Sequence, residues 1–228
     1  MARFKRMAVF EQMYTTGLVP VFYHSDAETV CQVVEACAEG GATLFEFTNR
    51  GDRALHVFSE VEKFCAKNAP HMITGIGSIV EPYTAMQYIN EGASFIVGPS
   101  FNEETAKACN RRKIAYSPGC ATLSEISKAE EMGCEIVKIF PGESVGGPEF
   151  VQAIKAPCPW VSVMPTGGVD ATEASIREWF TAGIVCAGIG SKLISKKLIE
   201  EKNFKEITKK VRETLSLIKE IKSGLPKY

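Results

Sequence analysis

The chain has 228 residues, 45% hydrophobic and 23% charged, with 26 Lys and Arg against 27 Asp and Glu and a formal net charge of −1. A chain this long buries roughly 70–75% of its extended surface on folding, so a sizeable core needs neither disulfides nor metal. The even charge balance excludes the clustered basic face of a nucleic-acid module, and no apolar run approaches the roughly 18–20 residues of a membrane span. The basic start MARFKRMAVFEQ meets Glu11 and Gln12 before a signal-peptide core can form, so the expected compartment is the cytosol.

Short apolar runs flanked by turn residues predict strands at Leu18–Phe22, Leu44–Thr48, Met72–Ser78, Phe95–Pro99, Ala115–Pro118, Ile136–Pro141, Val161–Pro165 and Val185–Ile189. Between them, helical periodicity covers Glu28–Ala38, Arg53–Lys67, Tyr83–Glu91, Glu103–Arg111, Leu123–Met132, Gly147–Ile154 and Glu173–Ala182. Gly40-Gly41, Gly92, Gly133 and Gly183 fall where helices should end before the next strand. Eight strand-helix units without a linker or a break in composition predict an α/β fold, a (β/α)8 TIM barrel over residues 1–228 as one domain. Periodicity alone leaves an open doubly wound sheet as the alternative. An N-terminal helix is expected before the first strand, and a C-terminal surface helix over about 196–222 from Leu198, Phe204, Ile207, Val211, Leu215 and Ile218.

The eight cysteines, at 31, 37, 65, 109, 120, 134, 158 and 186, form no CxxC and lie mostly in apolar stretches, as reduced thiols do. His24, His56 and His71 are far apart, with no i, i+4 metal pair. The expectation is no metal.

Barrel active sites gather at the C-terminal strand ends, so a charge embedded in a strand is informative. In Leu44-Phe45-Glu46-Phe47-Thr48, alternation turns Phe45 and Phe47 toward the helices and Glu46 and Thr48 toward the axis. In Ile136-Val137-Lys138-Ile139-Phe140, the same rule turns Lys138 inward. These are the second and sixth strands, and alternate strands fill one interior layer, so Glu46 and Lys138 can face each other. A buried ion pair is one reading of such a pair. The functional reading is amine catalysis, in which burial lowers the lysine pKa and frees a neutral amine to attack a ketone while Glu46 moves protons beside it.

Arg50 leaves the strand of Glu46 and can hold a carboxylate bidentately, and Ser78, after Gly75-Ile76-Gly77, offers a hydroxyl. Thr166-Gly167-Gly168 and Gly188-Ile189-Gly190-Ser191 follow the last two strands, the usual phosphate position of this fold. Asp170-Ala171-Thr172-Glu173 reads as the start of the next helix.

These residues resemble the 2-keto-3-deoxy-6-phosphogluconate and 2-keto-4-hydroxyglutarate aldolases. GLVPV, FEFTNR, GIGS, the proline of VGPS, SPGCATLSE, VKIFPGE, PTGGV and GIGSKL carry the resemblance in order from about Leu18 to Leu193. It implies a class I aldolase, needing neither metal nor cofactor and usually trimeric. Lys138 would form the Schiff base and Glu46 would shuttle protons. Arg50 and Ser78 would hold the carboxylate, with Thr48, Pro99, Phe140 and Thr166 lining the pocket. Gly167, Gly168, Gly190 and Ser191 would receive the phosphate. The implied substrate is 2-keto-3-deoxy-6-phosphogluconate, with 4-hydroxy-2-oxoglutarate and the phosphogalactonate analogue not separable. Ser78 replaces a frequent threonine, Asn49 a commonly apolar residue, and Lys192 a tryptophan found in some members; the roles of Lys192 and His24 stay open. The competing class is an imine-independent sugar-phosphate isomerase or decarboxylase on a similar barrel, and a non-catalytic phosphosugar-binding protein is the third.

Overall fold

The computed structural model describes residues 2–225. Its strands are β1 (Leu18–Phe22), β2 (Leu44–Thr48), β3 (Ile73–Gly77), β4 (Phe95–Val97), β5 (Ala115–Ser117), β6 (Gly119–Cys120), β7 (Val137–Ile139), β8 (Val163–Pro165) and β9 (Ala187–Ile189). The helices are α1 (Arg6–Thr16), α2 (Ala27–Glu39), α3 (Ala54–Asn68), α4 (Pro82–Asn90), α5 (Glu103–Arg112), α6 (Leu123–Glu131), α7 (Gly147–Lys155), α8 (Glu173–Thr181), α9 (Lys196–Glu200) and α10 (Phe204–Ser223).

All strand pairs are parallel, in the order β5-β4-β3-β2-β1-β9 and, separately, β6-β7-β8. The two sets form one barrel. At one seam the chain passes from β5 to β6 through Pro118: the Ser117 carbonyl accepts from Gly98 on one side, and the Pro118 carbonyl from Lys138 on the other. Proline supplies no N–H, so the strand expected to end at Pro118 stops at Ser117, and a second piece beyond the proline, outside the expected bounds, serves the other neighbour. At the other seam Val185 N–H donates to the Val163 carbonyl, and Thr166 bridges Gly188. Lys138 thus lies on β7, the sixth barrel strand.

Strand alternation divides the core in two. Phe45, Phe47, Ile76, Ile96, Val137, Ile139, Val163 and Ile189 pack outward against the helices. Val19, Leu44, Ile73, Phe95, Ala115, Ile136, Met164 and Cys186 fill the interior, where Val9, Phe10 and Met13 of α1 close the N-terminal end. Burying a phenylalanine side chain contributes about 1.5–3 kcal/mol. A one-residue slip of β2 would expel Phe45 and Phe47 from the helix layer and bring Glu46 into it, so the apolar pattern fixes where the carboxylate points.

Polar caps set the helix starts: Asp26 accepts from Thr29 N–H, Asn102 from Thr105 N–H, and Thr122 with Glu125 forms a capping box. The start expected at Asp170–Glu173 is observed, but the cap is Thr172, which accepts from Ser175 N–H. Asp170 stays in the loop. The tail differs from one continuous helix over 196–222, because Lys202 takes a left-handed φ of 50° and Asn203 caps a new helix. α10 then packs on α2 and α8 through Ile207, Val211 and Ile218. The eight cysteines are unbridged, and burial pushes the Cys37 thiol up to about 12.

Candidate active site

The C-terminal ends of the strands open into a cleft of about 500 Å³. Thr48, Arg50, Phe140, Thr166, Gly167, Gly168, Gly190 and Ser191 line it, all of them expected site residues. Glu46 and Lys138 lie one pleat deeper, two residues before Thr48 and Phe140 on the same strand faces, which is about 6–7 Å along the strand. Both are nearly closed off from solvent, Glu46 at 1% and Lys138 at 5% exposure.

Small residues make this placement possible. A Cβ built on Gly77 would sit 1.8 Å from Glu46 Oε1, so the carboxylate occupies the space a side chain on β3 would need. On Gly75 a Cβ would fall 2.3 Å from the Phe95 ring, and on Gly188 it would fall 2.4 Å from Thr166 Oγ1. The Gly75-Ile76-Gly77 motif therefore makes room for an acid and an aromatic ring inside the barrel. In the sequence this motif only leads to the Ser78 hydroxyl; the signal for its spacing role was two glycines at strand spacing beside an inward Glu.

Glu46 and Lys138 do not form an ion pair within 4.0 Å, which removes the simplest structural reading of the pair. Burial raises the Glu46 carboxyl above its usual range, opposed by the positive charges of Lys138 and Arg50. Burial lowers the Lys138 ammonium, opposed by the Glu46 charge and assisted by that of Arg50. Each group is thus driven toward its neutral form. The Lys138 Nζ lies 4.4 Å from the centroid of the Phe140 ring. Three buried polar atoms around the cleft floor, Glu46 Oε2, Thr48 Oγ1 and Thr166 Oγ1, have no hydrogen-bond partner. Buried polar groups are rarely left unpaired, and these are poised to meet a polar ligand.

Arg50 is exposed at the rim, where its Nε donates to Ser78 Oγ at 3.4 Å. Neither Ser78 nor Pro99 lines the cleft; Ser78 reaches it through Arg50, while the Pro99 carbonyl packs against Gly119. Asn49 accepts from the Tyr88 hydroxyl at 2.8 Å and so ties the loop carrying Arg50 to α4. Gly167 and Gly168 take φ values of 86° and 85°, a left-handed pair open to glycine. Gly142 and Glu143 N–H donate to the Thr166 and Gly167 carbonyls, which fixes this turn against the end of β7.

His24 lines the cleft with its Nδ1 accepting from Asp26 N–H at 3.1 Å. Lys192 lines it too, 3.2 Å from Asp170. Phe22 at the end of β1, Tyr23 just beyond it, Ile194 in the loop after β9 and Ile199 of α9 add to the wall; an apolar residue at a strand end, in a loop or on a short helix carries no signal that separates it from core, which is why the sequence did not single them out. Among the described residues no group of three or more His, Cys, Asp or Glu gathers as a metal site, and no helix is long and apolar enough to cross a membrane.

A family model described as KDPG and KHG aldolase matches residues 9–210. The chain is 31% identical over 207 residues to the KHG/KDPG aldolase of Escherichia coli, covering 90% of this chain and 94% of that one. It is 28% identical over 211 residues to the 2-dehydro-3-deoxy-phosphogluconate aldolase of Haemophilus influenzae, covering 92% and 97%. The solved KDPG aldolase of Legionella pneumophila, with pyruvate captured as a covalent carbinolamine, has the same barrel fold at a TM-score of 0.81 and 24% identity, covering 89% of this chain and 96% of that one.

Proposed function

The chain belongs to the KDPG and KHG aldolase family and is an aldolase, a carbon–carbon lyase, and from that premise we propose that it cleaves 2-keto-3-deoxy-6-phosphogluconate reversibly to pyruvate and glyceraldehyde 3-phosphate through a Schiff base on Lys138. Cleavage of 4-hydroxy-2-oxoglutarate to pyruvate and glyoxylate is the second activity of the same site. The observation that carries this reading is the buried Lys138 amine, driven toward neutrality by burial, beneath a cleft and beside a carboxyl whose Oε2 has no partner.

The neutral Nζ adds to the C2 ketone, and loss of water gives an iminium. Glu46, as carboxylate, takes the proton of the C4 hydroxyl, directly or through a water, while the C3–C4 bond breaks and its electrons pass into the iminium. The aldehyde leaves and an enamine remains. Glu46 returns the proton to C3, and hydrolysis of the iminium frees pyruvate and the lysine. Burial that raises the carboxyl above its usual range makes Glu46 a stronger base for this proton than an exposed carboxylate would be. Arg50 holds the keto-acid carboxylate at the rim and so sets C2 against the amine. Thr48 and Thr166, whose hydroxyls lack partners, bond the substrate between the two ends, with Phe140 against it. Gly167, Gly168, Gly190 and Ser191 offer backbone and hydroxyl donors to the phosphate. The same reading includes a homotrimer in the cytosol.

The test is product analysis. Each keto acid is supplied separately, and pyruvate and the partner aldehyde are quantified for wild type and Lys138→Met. Stoichiometric pyruvate and aldehyde from wild type, with loss of at least 10³-fold in the variant, is the expected result; equal turnover in both proteins would reject the mechanism.

A further inference from the structure

We infer that Lys192 is a specificity-determining residue for the anionic end of the aldehyde half, and that Asp170 restrains it in the free enzyme. The inference rests on the aldolase reading for the identity of the ligand, and on the following geometry for the subsite. The loop after β8 runs Gly167-Gly168-Val169-Asp170, and the loop after β9 runs Gly190-Ser191-Lys192. Each loop lines the cleft with its glycines and carries a charge just beyond them. The two charges meet, with Lys192 Nζ 3.2 Å from Asp170 Oδ1.

The pair stands between two spaces. Lys192 lines the catalytic cleft, and Lys192 and Asp170 together line a second cavity of about 410 Å³ that also holds Glu206, Lys210 and Glu213. Side-chain exposures of 63% for Lys192 and 40% for Asp170 place the pair in water-screened surroundings, where an ion pair does little for folding. Its effect falls on the cleft. Asp170 lies outside the cleft lining, two residues past Gly168, so its charge acts on an anion at the glycine loops from nearby, and Lys192, which lines the cleft and pairs with it, offsets that charge. A long lysine stem lets Nζ turn from Asp170 toward the ligand while staying near both. A phosphate dianion attracts Lys192 more strongly than a single carboxylate charge does, so the exchange favours a phosphorylated aldehyde. Lys196 also lines the cleft, but it is paired with Glu200 at 3.4 Å and points from a helix of five residues.

The experiment measures binding of inorganic phosphate by calorimetry to wild type, K192M, D170N and the double variant. K192M should weaken phosphate about tenfold because it leaves Asp170 uncompensated. D170N should strengthen it about threefold; independent effects would leave the double variant about threefold weaker than wild type, and the pair's coupling should bring it closer to wild type than that. In condensation with pyruvate, the ratio of kcat/KM for glyceraldehyde 3-phosphate over glyceraldehyde should fall about tenfold in K192M. Equal phosphate affinity in wild type and K192M overturns the inference, as does D170N binding no tighter than wild type, or equal losses with both aldehydes. Lys192-dependent phosphate binding in a protein that traps no pyruvate would remove the aldolase mechanism and keep the subsite. Trapped pyruvate with phosphate affinity indifferent to both substitutions would remove the subsite and keep the mechanism.

Discussion

Gly77→Ala separates the placement of Glu46 from the integrity of the barrel. The new Cβ would lie 1.8 Å from Glu46 Oε1, 2.7 Å from Cδ and 3.1 Å from Cγ, and its three nearest neighbours are all atoms of that one side chain. Real contacts of this kind do not close below 3.0 Å, so Oε1 must retreat by about 1.2 Å. A misplacement near 1 Å costs about 10²-fold in rate, or about 2.7 kcal/mol in the barrier. The fold should lose only about 1–3 kcal/mol, the usual range for one added methyl in a packed core. The assay follows pyruvate release with lactate dehydrogenase and NADH, beside a thermal melt. Gly75→Ala is the contrast: its Cβ meets the Phe95 ring at 2.3 Å, an overpacking that should lower the melting temperature directly. A Gly77→Ala protein with kcat within threefold of wild type would refute the reasoning, because the carboxylate could then move without consequence.

Three further outcomes follow from the site's electrostatics and unpaired atoms. Native Glu46 holds its proton to higher pH than the 4.5 of a free carboxyl, so as pH rises above that value the folded state binds more protons than the unfolded chain and stability falls. Glu46→Gln removes this slope, and its melting temperature should gain on wild type between pH 4 and pH 8, by about 2–4 °C for each kcal/mol relieved; parallel curves would count against the buried carboxyl. The rate of borohydride trapping with pyruvate should rise with pH and reach its half-maximum below the 10.5 of an ordinary lysine, because burial favours the neutral amine; a midpoint at or above 10.5 would contradict that. Thr48→Val keeps shape and removes a buried hydroxyl that has no partner, so the fold should be as stable as wild type or more so while kcat/KM falls about tenfold; unchanged kcat/KM would remove Thr48 from the substrate's contacts.

Much of this was legible in the residues, for a physical reason that differs by element. The alternation around Glu46 and Lys138 forced both inward because Phe45, Phe47, Val137 and Ile139 have to meet the helix layer. Glycines followed by charged or polar residues at the last two strand ends marked the cleft rim. The pairing across Pro118 was less visible, since a strand's neighbours on either side are a tertiary property and the apolar run reads as ending at Pro118, before β6. The tail read as one helix because its apolar spacing continues across Lys202, where the backbone turns left-handed. Within the site, Gly77 escaped notice as a maker of space because its role depends on the register that sets Thr48 opposite it. Ser78 and Pro99 follow their strands in sequence; Ser78 meets the cleft through its bond to Arg50, and the Pro99 carbonyl lies against Gly119.

The central claim is that Lys138 forms an imine with the keto acid. The most direct measurement is mass spectrometry of the intact protein and its peptides after incubation with pyruvate and borohydride, with Lys138→Met alongside. One reduced pyruvyl group per chain is expected, mapped to Lys138 and missing from the variant. A folded wild-type protein that carries no adduct, or one that carries it on another lysine, would contradict it.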